Sequence, residues 1–211
     1  MTCPICRQRK PKRFCPAQGE KICAICCGTS REVTIDCPAD CPHLTAAHRY
    51  EQEHRIPLDR SELPYPEVRL GAELVEGRED AVLHLCQAVV EALPETRAID
   101  DDALGALGAM AETYRTLRSG IYYEQPPNGA VARELYRRLA KAIDDYRQEP
   151  GRSEGRPALR ENEIFEILVF LLRVGKQETN GRARSRAFLD FIRGWLPPAE
   201  RTSETGRIIL P

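Results

Sequence analysis

Cys3-Pro4-Ile5-Cys6 and Cys23-Ala24-Ile25-Cys26-Cys27, with Cys15 between them and Cys37-Pro38-Ala39-Asp40-Cys41 behind, decide how the rest of this chain is read. Eight of the nine cysteines fall in this stretch, and Cys86 alone lies outside it. A Cys-x-x-Cys step turns two thiolates onto one ion, because its tight turn aims both sulfurs inward. Four thiolates then close a tetrahedral zinc site. Eight are enough for two zinc ions. Iron–sulfur ligation would instead show three closely stepped cysteines and a distant fourth, and here the cysteines come in pairs. If Cys3 and Cys6 pair with Cys23 and Cys26, then Cys15, Cys27, Cys37 and Cys41 remain for the second ion. Adjacent Cys26 and Cys27 point different ways along an extended backbone and so suit different ions. His43, two residues past Cys41, is a spare ligand.

The metal is expected to fold this region. Residues 1–50 carry few large apolar side chains (Ile5, Phe14, Ile22, Ile25, Val33, Ile35, Leu44 and Tyr50), and a core that small rarely holds without staples. Structural zinc supplies on the order of 10–16 kcal/mol of folding free energy per site in peptide systems. Short β-hairpins are expected rather than helices, with Val33 and Ile35 alternating in a strand before Cys37. Thiols kept for metal belong in a reducing compartment, and Met1-Thr2-Cys3-Pro4 opens no signal-peptide core, so a cytoplasmic location is expected. No run of eighteen apolar residues calls for a membrane span.

The interleaved ligand order resembles that of cross-brace zinc fingers such as the HIT-type, MYND and B-box families. The likeness is confined to the first fifth of the chain. It departs from the HIT-type pattern at Ala17, Gln18 and Gly19, where a further cysteine would be required. Those families are mostly protein-interaction modules, so the resemblance implies a protein partner. Cys26-Cys27-Gly28, Arg31-Glu32, Asp36-Cys37-Pro38 and Cys41-Pro42 also look like the opening of some uncharacterised bacterial zinc-binding proteins.

Beyond the module the pattern turns helical. Residues 1–55 form the Cys-rich module, ending in a polar helix over 45–55 capped by Thr45. Pro57, Pro64 and Pro66 mark a linker over 56–70. Residues 71–198 then read as an up-and-down helical bundle of five helices. The first has Val75, Val82, Leu85, Cys86, Val89 and Leu93 on one face and is ended by Pro94. The fourth, from Ile164 to Leu172, is apolar almost all round and belongs at the bundle centre. Gly151 to Arg156 is a charged loop between the third and fourth helices. The tail, 199–211, ends Ile208-Ile209-Leu210 and is expected to add a β-strand. The fold class is therefore mainly α, a two-zinc module with short hairpins followed by a bundle.

Several charged and aromatic groups are candidate sites. Arg7, Arg9, Lys10, Lys12 and Arg13 crowd the loop between Cys6 and Cys15, where they either grip nucleic-acid phosphates or balance the thiolates. Residues 1–55 hold nine Lys and Arg against six Asp and Glu, an excess that eight zinc-bound thiolates would cancel. Arg182 and Arg186 share a face at the start of the fifth helix, so an anion would fit between them, although pairing with acidic neighbours in the bundle is the commoner arrangement. Tyr122 and Tyr123 either pack on a helix end or form a recognition loop. His48 and His54 are expected at the surface. No His-x-Glu or His-Glu-x-x-His arrangement supplies an open zinc and a base, so catalysis is not expected. The reading is an interaction protein with structural zinc and a protein partner, the alternative being a nucleic-acid factor working through the basic loop.

Overall fold

Residues 2–71, 74, 77–148 and 158–197 are described by the structure, a computed structural model. The expected loop at 151–156, Val75 and the expected strand in the 199–211 tail lie outside them. One hairpin, β1 (Arg13–Cys15) paired antiparallel to β2 (Glu20–Ile22), is followed by seven α-helices among the described residues. These are α1 (Ala24–Ser30), α2 (Pro42–Glu53), α3 (Glu79–Thr96), α4 (Asp100–Leu117), α5 (Ala130–Gln148), α6 (Glu161–Glu178) and α7 (Ala187–Trp195). The fold is mainly α, as the periodicity requires.

Two buried clusters divide the interior. The larger belongs to α3–α7 and is built on Leu107, Leu135, Leu139, Ile143, Ile164, Phe165, Leu168 and Phe188. The apolar helix α6 packs against α4 and α7, while α3 packs against α5 and α7. Gly175 on α6 marks the closest approach. A Cβ there would stand 2.5 Å from Leu104 Cδ2 and 3.2 Å from the Phe188 ring. The second cluster holds Cys3, Cys15, Ile22, Cys23, Cys26, Ile35, Cys37, Cys41 and Leu44. Six of these nine are cysteines, so the module has little apolar matter to fold on without a metal.

Four local expectations change. The module contains α1, and residues 32–34 form a turn closed by a single bridge between Arg31 and Ile35, not a strand. The N–H groups of Val33, Thr34 and Ile35 all donate to the Ser30 carbonyl. One oxygen gathering three successive donors curls the backbone and overrides the β-branched pattern. The polar helix starts earlier, at Pro42 behind Cys41, since proline suits the first helical turn. Pro94 lies inside α3, which runs on to Thr96 before Arg97 adopts a left-handed conformation (φ 53°). The 56–70 segment is pinned along α6. Arg173 donates to the carbonyls of Pro64, Tyr65 and Val68, and Gln177 holds Leu58 N–H and Ile56 C=O. Arg55 pairs with Glu178 at its start.

Candidate metal centre and its junction with the bundle

Backbone turns build the first site. Cys3 N–H donates to the Arg9 carbonyl (2.8 Å) and Arg7 N–H to the Cys3 carbonyl (2.7 Å), which curls the chain around the Cys3–Cys6 step and holds Arg7 at φ 52°. The β1–β2 hairpin then returns the chain beside it, and Cys23 caps α1 by accepting the Cys26 N–H at 3.4 Å. Cys23 N–H in turn donates to Cys3 Sγ at 3.3 Å. As a result the sulfurs of Cys3, Cys6, Cys23 and Cys26 all lie within 4.8 Å of one another. Among the described residues this is the group drawn together that tightly.

The donor set fits a metal ion. With Zn–S bonds of about 2.3 Å, a tetrahedron has S···S edges of about 3.8 Å. Cys6 Sγ and Cys23 Sγ are 3.9 Å apart. Three of the thiols are also unequal. The backbone N–H groups of Gln8 and Arg9 bring Cys6 down to about 6, against the effect of burial. Burial, reinforced by the neighbouring sulfurs of Cys23, Cys6 and Cys3, pushes Cys26 up to about 12. Burial also raises Cys3, but the N–H groups of Cys6 and Cys23 outweigh it and leave its thiol below the usual value. N–H donors aimed at sulfur favour thiolate, the form that binds metal.

The other four cysteines are a looser set. Cys15, Cys37 and Cys41 are buried in the same small core. Burial raises the Cys37 thiol, as do Cys41 and Cys15 beside it. Cys27 stands at the edge, with Arg13 Nη1 at 3.7 Å and Arg31 Nη2 at 3.8 Å from its sulfur. His43 lies near the same two arginines, its pKa lowered by burial and then by their charge. The sulfurs of this set do not close to the spacing of the first.

Arginines of the basic loop turn toward sulfur. Arg9 stands on the sulfurs of Cys23 and Cys6, which hold its guanidinium more firmly protonated, and Arg13 stands on Cys27. Of the candidate phosphate-binding residues, Arg7, Lys10 and Lys12 are left facing solvent, Lys12 with its N–H on the Ile22 carbonyl.

Arg182 and Arg186 have partners in the module. Arg182 Nη1 donates to the carbonyls of Gly28 (3.0 Å) and Arg31 (2.9 Å), on either side of α1's end. Arg184 N–H donates to Glu32 C=O, and Arg186 pairs with Asp36 (2.7 Å) while also donating to Cys37 C=O, Ala98 C=O and Arg97 C=O. The two do not share the helical face expected of them, because both precede α7, Arg186 as its N-cap residue.

Glu32 is the hub of this junction, and its sequence position does not advertise it. It is 1% exposed, at φ 52°, and its carboxylate accepts from His48 (3.0 Å), Asn180 Nδ2 (2.9 Å) and Arg186 N–H (2.9 Å). His48 is buried, contrary to the surface position expected for it, with its other ring nitrogen 3.5 Å from Asp190 of α7. Burial opposes its charge, but the bonds to Asp190 and Glu32 win and lift its pKa to about 9, so the ring is an imidazolium at neutral pH. A signal for it was present: His48 lies four residues beyond Leu44, on the face of α2 that the small core buries. Over the same seam lies a cleft of about 330 Å³ lined by Arg97 and by two ion pairs, Arg186 with Asp36 and Arg193 with Asp190.

His54 is exposed and stacks on Tyr50, whereas Cys86 is core, its thiol pushed up to about 12 by burial. No helix among the described residues is long and apolar enough to cross a membrane. Comparison of the chain with protein-family models, curated proteins and solved structures finds no match.

Proposed function

We propose that this chain is an interaction protein whose N-terminal module is folded by structural zinc and which binds a protein partner. The convergence of Cys3, Cys6, Cys23 and Cys26 carries the reading. Four thiol ligands fill a tetrahedral ion and leave no position for a substrate or an activated water, which is the difference between structural and catalytic zinc. The second ion belongs to Cys15, Cys27, Cys37 and Cys41, with His43 in reserve. Three of these are buried together, and Arg13 and Arg31 offset the charge that a thiolate site accumulates. No step of bond chemistry is assigned to the protein. A cytoplasmic setting, where thiols stay reduced, suits this ligand set.

Arg9 and Arg13 are drawn onto sulfur, so the balancing role of the basic loop is the better supported one. The test is elemental analysis of the purified protein together with affinity capture, with and without nuclease. About two zinc ions per chain and a protein partner that survives nuclease are expected. Iron in place of zinc would sink the metal assignment, and a partner lost on nuclease treatment would transfer the function to nucleic acid.

A further inference from the structure

The cleft of about 330 Å³ over the seam has one wall from the module, Asp36–Ala39, and two from the bundle, the end of α3 and α7. Its charges do not cancel. Arg97, Arg186 and Arg193 line it with Asp36 and Asp190, three cations to two carboxylates. Behind them His48 and Glu32 offset one another. Arg186 is engaged by Asp36 and by the carbonyls of Cys37, Ala98 and Arg97. Arg193 gives Nη1 to Asp190. The Arg97 guanidinium has no hydrogen-bond or ion-pair partner among the described residues, so one positive charge at the cleft stands unanswered.

Arg97 is held there against local preference. Its N–H donates to Leu93 C=O (2.9 Å) in the left-handed conformation (φ 53°) that ends α3. Glycine normally fills that position, because a Cβ there is strained. Arg186 fixes the residue from both sides, with Nη2 on its carbonyl (3.3 Å) and Nε on the carbonyl of Ala98 (3.2 Å). Strain of this kind, maintained by surrounding contacts, clusters at ligand clamps.

Charge and shape select the occupant. A planar guanidinium takes a carboxylate through two parallel hydrogen bonds, and one carboxylate neutralises the surplus that a phosphate dianion would overshoot. Pro38, Ala39 and Pro94 add apolar lining beside the arginines. The cleft is too open for a small molecule. Asp36 and Arg193 keep 45% and 46% of their side-chain surface in water, whereas small-ligand sites bury about 70–90% of the ligand. A peptide anchored by one side chain needs no such enclosure. We propose that the cleft binds an acidic segment of the protein partner, with an aspartate or glutamate carboxylate on Arg97 and a neighbouring apolar side chain against Pro38 and Pro94.

The inference gives the protein-binding reading a site and rests on that reading for the existence of a partner, yet the two fail separately. Loss of the captured partner on nuclease treatment defeats the reading, whereas the cleft is tested with peptides. Acetylated, amidated hexapeptides with one glutamate among randomised apolar residues are screened on the zinc-loaded full chain, and the tightest is remade with glutamine in its place. The Nε–H resonance of Arg97 should shift on binding the glutamate peptide, and glutamine should weaken binding about tenfold, the size of one charge-assisted pair. Arg97→Gly removes the guanidinium and relieves the backbone, so it should weaken binding about tenfold while Tm holds or rises. Arg97→Lys keeps the charge without the fork, should fall between the two, and tests the contact even where the glycine variant is unstable. The proposal is overturned if no peptide binds, if glutamine binds as well as glutamate, or if Arg97→Gly leaves the affinity unchanged. It is equally overturned if acetate or inorganic phosphate competes at the peptide's own concentration, or if a single-stranded oligonucleotide displaces the peptide from Arg97.

Discussion

His48 is the most exacting place to test the junction between module and bundle. Its ring is 7% exposed and lies between Glu32 at 3.0 Å and Asp190 at 3.5 Å. A pKa raised from 6.5 to about 9 means that the folded state holds the proton more tightly than the unfolded chain. At about 1.4 kcal/mol per pH unit the difference is roughly 3 kcal/mol, and partial exposure of Asp190 argues for about 2–3. For a raised pKa the sign is fixed. The stabilisation is complete below about pH 6.5 and is lost as pH rises through about 9. Trp195, the single tryptophan, stacks with Phe170 near the end of α7 and reports unfolding of the helix that carries Asp190. Urea unfolding of zinc-saturated wild type and His48→Gln, followed by that fluorescence, should give a stability gap that shrinks by about 2–3 kcal/mol between pH 6 and pH 9.5. Titration by NMR should place the wild-type imidazole near 9 and drop it toward the ordinary range in Glu32→Gln. A wild-type midpoint near 6.5, or a gap flat with pH, would refute the account.

Other outcomes follow from single contacts. Glu32→Ala strips a buried imidazolium of one carboxylate, orphans the Arg186 N–H and leaves Asn180 Nδ2 with Glu51 alone, so it should cost about 3–5 kcal/mol in denaturant unfolding. Gly175→Ala drives a Cβ into Leu104 and Phe188 and should lower stability by about 1–3 kcal/mol on the same assay. Asp100 on α4 accepts the N–H groups of Phe188 and Leu189 and the Ser185 hydroxyl, and so caps α7 from a neighbouring helix. Asp100→Ala should cost at least the ~2 kcal/mol of a strong cap, measured by thermal unfolding. Cys3→Ser should release about one zinc ion per chain in a chelator titration and leave the helical circular dichroism of α3–α7 largely intact, since their core is a separate cluster.

Some of this was written plainly in the sequence and some could not be. The 3.6-residue spacing of Val82, Leu85, Cys86 and Val89 placed α3, and the all-round apolar run from Ile164 marked α6 as deeply buried, although α4, which packs on α5, α6 and α7, is the more central helix. The Cys-x-x-Cys steps likewise led to a real convergence of sulfurs. Glu32, His48 and the arginines behaved otherwise. Their roles depend on contacts between residues as far apart as Glu32 and Arg186, and no periodicity encodes such a distance. Val33–Ile35 misled for a related reason. β-branched alternation reports a preference for half-buried strands, but among the described residues it finds only a single bridge from Ile35 to Arg31, and Ser30 gathers its amides instead. The exposure of Tyr122 and Tyr123 was one of two readings, decided only by the turn that follows α4, where Gly120 at φ 80° redirects the chain.

The charged character of the junction has a physical consequence for a module that depends on metal. The small core consists mostly of cysteines, so without an ion the free energy that fixes residues 28–37 largely disappears. An apolar docking face on the bundle would then be left open to water and to other chains, which is an aggregation hazard. Asn180, Arg182, Arg184 and Arg186 present hydrogen-bond donors instead, and these remain soluble when vacant. They grip backbone as well as carboxylates: the carbonyls of Gly28, Arg31, Glu32 and Cys37, and the side chains of Glu32, Asp36 and Glu51. Carbonyls converge on those donors only when the loop between Cys27 and Cys37 has its folded shape, so the bundle recognises that shape together with its carboxylates. If the proposed second ion is held there, metal binding and docking are linked, and any free energy the junction adds to the folded loop must appear as tighter metal retention by Cys27 and Cys37.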